Sequence, residues 1–194
     1  MKMKIVISLL ILVSGLFNQS FAQDKEKARL AESVVWFGID FTMAKFTLVT
    51  EDPDIIVSQY LKSINMVILA EPEKYNFNMF FHKSDVIKNI DLANEYNSKI
   101  NSAELVTTSE HRIAPEAIKS VIEKYSTKEK SGMGLIFIAE NLNKVAQTGS
   151  YYVCFFDIAT KEIIDSRRMV GKAGGFGFRN YWAGTVYNIM KTWL

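Results

Sequence analysis

The 194-residue sequence is poor in the residues that build disulfide and metal-bound frameworks: it has one cysteine, two histidines and three prolines. A single cysteine excludes a disulfide framework and a cysteine-based zinc site, and three prolines exclude a proline-rich linker. The two histidines, His82 and His111, lack the spacing of zinc ligands. Hydrophobic residues make up 48% of the chain and charged residues 23%, which indicates a folded protein rather than a disordered one. We therefore predict a folded domain with no metal and no other cofactor.

The hydrophobic run at the amino terminus is too short to cross a membrane. Lys2 and Lys4 precede the apolar residues 5–17, and Ser20 and Ala22 are small residues at the positions that signal peptidase reads. A spanning helix needs about 20 apolar residues. The sequence thus predicts a signal peptide over residues 1–22 and export to the periplasm or the medium, with an uncleaved anchor as the alternative. No cysteine follows the run, which excludes a lipoprotein anchor.

Charge of either sign is not in excess once this segment is removed. The formal net charge of the whole chain is +2, and cleavage after Ala22 removes Lys2 and Lys4, leaving 21 basic and 21 acidic residues. A neutral protein is not expected to bind nucleic acid through its overall charge. The balance is uneven, however: residues 161–194 hold six basic and two acidic residues, so the preceding mature residues are net acidic.

Hydrophobic periodicity predicts a single domain over residues 23–194. Residues 34–41 alternate as in a strand, and we predict that Val35, Phe37, Ile39 and Phe41 face the core. Asp52 and the proline after it open a helix over about 53–70. Alternating aromatic residues over 75–81 predict a short strand, and residues 24–32 read as a loose leader.

The second half of the chain predicts a hairpin and a final helix. Strand-forming residues begin at Met133, and two further strands, over about 151–158 and 162–170, are separated by a short connection. Asn180 is a suitable N-cap for the last helix, whose core-facing stripe is Trp182, Val186, Ile189 and Trp193. Together these elements predict an α+β domain, with a mixed or antiparallel sheet of about four to five strands covered by helices on one face.

Two stretches of the chain resemble an uncharacterised family of exported proteins of Gram-negative bacteria. The first is Phe-Gly-Ile-Asp-Phe-Thr over residues 37–42, and the second is Gly-Lys-Ala-Gly-Gly-Phe-Gly-Phe-Arg-Asn-Tyr-Trp-Ala over residues 171–183. The resemblance covers most of the mature chain and implies export and a shared fold. It implies no particular activity, substrate or catalytic residue.

The second stretch is the leading candidate for a binding site for an anion or a partner. Backbone N–H groups at a helix start favour negative charge, and glycines let a ligand approach the backbone closely. The candidate residues are Lys172, Gly174, Gly175, Gly177, Arg179, Arg167 and Arg168. Neither the dinucleotide-binding nor the phosphate-loop motif fits this segment. The structural alternative is a strand-to-helix loop whose glycines let Phe176, Phe178 and Trp182 pack inward.

Two aspartates form a second, acidic candidate site. Asp40 and Asp157 each follow an aromatic strand segment, and paired carboxylates could bind a cation or act as acid and base. The structural alternative is that Asp157 starts the hairpin turn and Asp40 caps a strand end. Cys154, set between aromatic residues, is expected to be a buried small side chain rather than a nucleophile.

No catalytic constellation emerges from these patterns. The first hypothesis is therefore an exported, non-catalytic binding or accessory protein of the cell envelope, with an envelope protein or an anionic ligand as its partner. The alternative is a small-molecule or phosphoryl-binding enzyme that uses the glycine-rich residues 171–177 and the nearby basic side chains. The two hypotheses differ in whether Asp40, Asp157 and the glycine-rich segment meet in one cleft.

Overall fold

A computed structural model of the chain describes residues 26–193, so the predicted signal peptide lies outside the described residues. Seven strands and six α-helices follow a short helical segment at residues 26–30. The strands are β1 (Ser33–Asp40), β2 (Lys45–Thr47), β3 (Asp85–Lys88), β4 (Val106–Thr107), β5 (Met133–Asn143), β6 (Thr148–Asp157) and β7 (Ile163–Lys172). The helices are α1 (Pro53–Ile55), α2 (Leu61–Ala70), α3 (Phe77–Phe81), α4 (Asp91–Asn97), α5 (Ala117–Ile122) and α6 (Phe178–Lys191).

The seven strands form one sheet in which four of the six strand pairings are parallel. Strand β1 lies between β3 and β5, and β2 lies between β4 and β5, all in parallel register. Strands β5, β6 and β7 then continue the sheet with antiparallel pairings. The predicted α+β class, with a mixed or antiparallel sheet of four to five strands, is therefore wrong: the fold is α/β with a mostly parallel sheet. Strands β2, β3 and β4 have only two to four residues, too few for a periodic pattern to reveal them.

Helices cover both faces of the sheet rather than one. On the first face, α2 and α6 pack against β1, β5 and β6 around side chains such as Ile64, Trp182 and Phe137. On the second face, α5 packs through Ile118 and Val121. Parallel neighbours must be joined by crossover connections, and these connections carry the helices that cover the two faces.

A bulge in β1 changes which side chains face which core. The register with β5 shifts between Trp36 and Ile39, and Gly38 there has a φ of +87°. Trp36, Ile39 and Phe41 consequently join the first core, and Phe37 joins the second. The predicted common face of Val35, Phe37, Ile39 and Phe41 is wrong because one extra residue inverts the alternation beyond it.

Two buried asparagines form hydrogen bonds with the backbone at the end of β1, beyond the last residue that pairs with β3. The Asn65 side-chain oxygen accepts from Ile39 N at 2.8 Å, and the Asn97 side-chain oxygen accepts from Phe41 N at 2.7 Å. Both side-chain amides donate to the Ile39 carbonyl, at 3.1 and 2.9 Å. These side chains supply the hydrogen bonds that a neighbouring strand would otherwise make.

Two local predictions also change. Residues 77–81 form α3 instead of a strand, because Asn76 accepts from Met79 N at 2.9 Å as an N-cap and Phe77 and Phe81 lie on one buried helical face. The leader is held in place, since the buried Lys83 ammonium donates to the carbonyls of Ala28, Arg29 and Ala31. Within residues 26–193, no helix combines the length and apolarity required of a transmembrane span.

Candidate functional site

The glycine-rich segment lies between β7 and α6 and packs closely on the helix. A Cβ added at Gly171 would lie 2.0 Å from the Thr185 carbonyl oxygen, and one added at Gly184 would lie 2.2 Å from the Gly174 carbonyl oxygen. Gly174 N also donates to the Tyr181 carbonyl at 3.1 Å. Gly171 and Gly184 are therefore required by close backbone packing.

Beyond its contacts with α6 the segment is exposed to solvent. Nothing lies within 4 Å of a Cβ added at Gly174 or Gly177, and Gly175 and Gly177 have φ values of +120° and +77°. Between the last two glycines stands Phe176, with 95% of its surface exposed. The expectation that Phe176 packs inward fails, whereas Phe178 stacks on Tyr60 with ring centroids 4.6 Å apart. The Phe176 side chain therefore contributes nothing to the hydrophobic core.

The turn between β5 and β6 lies beside this loop and extends its surface. Ala173 N donates to the Gln147 carbonyl at 2.7 Å, and the Lys144 ammonium lies 4.0 Å from the centre of the Tyr181 ring. Val145 in the same turn is 72% exposed. We call the surface formed by residues 144–147 and 172–179 the glycine tip.

The glycine tip carries positive charge only. Lys144, Lys172 and Arg179 are exposed, and neither of its two segments contains an aspartate or a glutamate. No salt bridge within residues 26–193 involves any of these three cations. Sequence reasoning predicted Lys172 and Arg179 but missed Lys144 and Val145, which lie about 30 residues earlier in the chain.

The other two predicted cations, Arg167 and Arg168, do not belong to the tip. Arg167 Nε donates to Asp165 Oδ2 at 2.9 Å, and its guanidinium lies 4.3 Å from the centre of the Trp193 ring. Arg168 Nε donates to the buried Glu140 carboxylate at 2.8 Å on the other face of the sheet. Adjacent residues of a strand point to opposite faces, so these two arginines cannot act in one site.

The two candidate aspartates lie at different levels along the strands of the sheet. Asp157 is paired with Met133 at the start of β5, whereas Asp40 is paired with Ile138 further along that strand. At about 3.3 Å per residue, five residues of β5 separate the two levels by roughly 17 Å. The structure therefore does not bring Asp40, Asp157 and the glycine loop into one cleft.

Each aspartate has local hydrogen-bond partners. Asp157 Oδ1 accepts from the backbone N–H groups of Ala159 and Thr160 at 3.0 and 2.9 Å, and these bonds lower its pKa. The buried Asp40 accepts from Thr42 N at 2.8 Å and from the Tyr125 hydroxyl at 2.7 Å. Burial and the nearby Asp40 carboxylate raise the pKa of Tyr125, which keeps this phenol protonated as a donor.

Cys154 is buried in β6 on the second face of the sheet. Its sulfur lies 3.2 Å from the Ser166 hydroxyl, and burial raises the pKa of the thiol to about 12. The thiol is therefore protonated at neutral pH and is a poor nucleophile. Within the described residues, no group of three or more histidine, cysteine, aspartate or glutamate side chains is arranged to hold a metal ion.

Comparisons with protein-family models, with curated proteins and with solved structures find no match to this chain. The resemblance to exported proteins of Gram-negative bacteria consequently stays a prediction.

Proposed function

We propose that this chain is an exported, non-catalytic binding protein of the cell envelope that docks through the glycine tip on an anionic lipid surface. The observation that carries the proposal is Phe176, an almost fully exposed aromatic side chain on a glycine loop whose exposed charged side chains are all cationic. The sequence-based prediction of export supports the choice of compartment. The separation of Asp40 from Asp157 supports binding rather than acid–base catalysis.

The chemistry of the tip suits the interface between lipid headgroups and acyl chains. Exposed aromatic side chains insert at this depth, and lysine and arginine attract the anionic headgroups around them. Phe176 and Val145 supply the apolar part, and Lys144, Lys172 and Arg179 supply the charge. A stable protein partner would need a contact of about 800 Å² on this chain, and an exposed loop with one neighbouring turn favours the lipid surface instead.

The expected affinity is modest. Burying the Phe176 ring contributes about 2 kcal/mol, and each of the three cations near an anionic surface contributes about 1 kcal/mol. A total of about 5 kcal/mol corresponds to a dissociation constant of a few tenths of a millimolar in lipid. Docking is therefore reversible, and salt weakens it because the charges are exposed.

Co-sedimentation with vesicles tests the proposal. Vesicles of phosphatidylglycerol and phosphatidylethanolamine are compared with vesicles of phosphatidylcholine. We expect the parent protein to bind the anionic vesicles. We expect Phe176→Ser to weaken this binding about 30-fold, the equivalent of about 2 kcal/mol. Replacing both Lys172 and Arg179 by glutamine should weaken binding to a similar extent. High salt should likewise weaken binding of the parent protein, because it screens these charges.

Matched substitutions elsewhere control for general surface effects. Met79→Ser removes another exposed apolar side chain, and Lys119→Gln removes an exposed lysine of α5, on the second face of the sheet. Both control variants should bind as the parent does. Equal binding to neutral and anionic vesicles, or unchanged binding by the tip variants, would overturn the proposal. Capture of a single envelope protein that depends on Phe176, without vesicle binding, would replace the lipid by a protein partner.

A further inference from the structure

We infer that a cleft at the carboxyl end of β1, separate from the glycine tip, binds a small molecule bearing a phosphate or carboxylate group. The cleft has a volume of about 350 Å³ and contains Asp40 in its wall. This volume lies within the range of small-molecule sites, about 300–1,000 Å³. The inference does not rest on the lipid-docking proposal, because the two surfaces share no residue.

The sheet topology places an opening at this position. After β1 and β2 the chain passes through α2 on the first face to reach β3, which pairs with one side of β1. After β4 it passes through α5 on the second face to reach β5, which pairs with the other side of β1. The two parallel neighbours of β1 are thus reached over opposite faces of the sheet, an arrangement that leaves a crevice beyond the carboxyl end of a strand. Ligands of open α/β sheets bind in such crevices.

Three distant parts of the chain converge on the cleft. Thr42 and Lys45 follow β1, Lys99 and Asn101 follow α4, and Lys124 follows α5. The Tyr96 hydroxyl donates to the Lys124 carbonyl at 2.7 Å, which joins the second part to the third. The polar side chains that line the cleft are therefore held by a fixed scaffold of helix ends and strand ends.

The cleft is lined by three lysines, Lys45, Lys99 and Lys124, and by the carboxylates of Asp40 and Glu104, and Lys45 donates to the Glu104 carbonyl. The Asp40 carboxylate is buried and already accepts from Thr42 and Tyr125, whereas Lys124 has no ion-pair partner among the described residues. Lys99 pairs with Glu95 at 2.6 Å, but both side chains are more than half exposed, so the pair is weak and a ligand can compete with it. Two ammonium groups that line one cleft suit an oxyanion. The Asn101 amide already donates to Glu104 Oε1 at 3.1 Å, so the two lysines are the groups that would hold the ligand.

A two-dimensional NMR titration tests the inference. The probes are inorganic phosphate, glycerol 3-phosphate and malate, and sodium chloride at equal ionic strength is the control. We expect saturable shifts confined to the amides around Thr42, Asn101 and Lys124. A stronger response to glycerol 3-phosphate than to malate identifies a phosphate ligand, and the reverse order identifies a carboxylate ligand.

Matched lysine variants complete the test. Changing both Lys99 and Lys124 to glutamine should weaken probe binding by at least about tenfold, since charge-assisted hydrogen bonds to the ligand are lost. Changing Lys62 and Lys128, two exposed lysines outside the cleft, to glutamine should leave probe binding unchanged. Three outcomes would overturn the inference: shifts that chloride reproduces, shifts that map to the glycine tip, and shifts that persist in the double variant of Lys99 and Lys124. None of these outcomes bears on vesicle binding through Phe176.

Discussion

Replacing Gly171 by alanine tests whether the glycine segment is positioned by its contact with α6. The new Cβ would lie 2.0 Å from the Thr185 carbonyl oxygen and 2.7 Å from its carbonyl carbon. To restore ordinary contact at about 3.4 Å, the backbone of α6 must retreat by about 1.4 Å. Because this helix buries Trp182, Val186 and Ile189, such a movement disturbs the first core.

We expect this substitution to cost about 2–3 kcal/mol in the free energy of unfolding, as overpacking of a rigid site does. For a protein of this size that corresponds to a fall of about 4–12 °C in the melting temperature. Gly174→Ala, three residues later, is the matched control, since nothing lies within 4 Å of its added Cβ. It should change stability by no more than about 0.5 kcal/mol.

Urea unfolding followed by circular dichroism measures both variants. Equal stabilities of Gly171→Ala and the parent would refute the close approach of β7 to α6. A large loss in Gly174→Ala would refute the open space at the Cβ position of Gly174. Either result would remove the structural basis for presenting Phe176 on a fixed support.

Three further predictions concern residues outside the tip. Asn97→Ala should lower the free energy of unfolding by about 2–4 kcal/mol in urea titrations, because the buried Phe41 N–H loses its acceptor and the Ile39 carbonyl loses a donor; an unchanged midpoint would contradict this role. The Cys154 thiol, whose pKa is raised to about 12, should resist iodoacetamide at pH 8 in the folded protein and react after unfolding; rapid labelling of the folded protein would contradict its burial. Asp157→Ala should cost about 1 kcal/mol at neutral pH through the lost turn hydrogen bonds. Since the folded-state pKa of Asp157 lies below the ordinary 3.8, that difference should be fully present above this value and vanish as pH falls through the lowered pKa; a pH-independent difference would refute it.

The long elements of the fold were predictable from periodicity. The helical stretch over residues 53–70, in which a π-helix (Ile56–Tyr60) joins α1 to α2, agrees with the sequence pattern. The β6–β7 hairpin and the buried residues Trp182, Val186 and Ile189 of α6 agree with it as well. The class was not predictable, because three of the four parallel pairings involve strands of two to four residues. The bulge at Gly38 and the two edge asparagines also depend on tertiary contacts that no local pattern contains.

The candidate site was predictable in part. The sequence indicated Lys172, Arg179 and the glycines, but the neighbouring Lys144 reaches the tip only through the β5–β6 turn. Strand alternation already implied that Arg167 and Arg168 point in opposite directions, since both lie in the predicted return strand. The exposure of Phe176 could not be read from the sequence, because an aromatic residue is ordinarily expected in a core.

A fluorescent label at the glycine tip tests docking on lipid most directly. Gly174→Cys provides a reactive thiol beside Phe176 without a clash, and the buried Cys154 stays unlabelled in the folded protein. A polarity-sensitive nitrobenzoxadiazole group is attached there and, as a control, at Met79→Cys. On addition of anionic vesicles we predict a blue shift and a rise in emission from the label at position 174 and no change at position 79. No change at position 174, or equal changes at both positions, would contradict insertion of the tip.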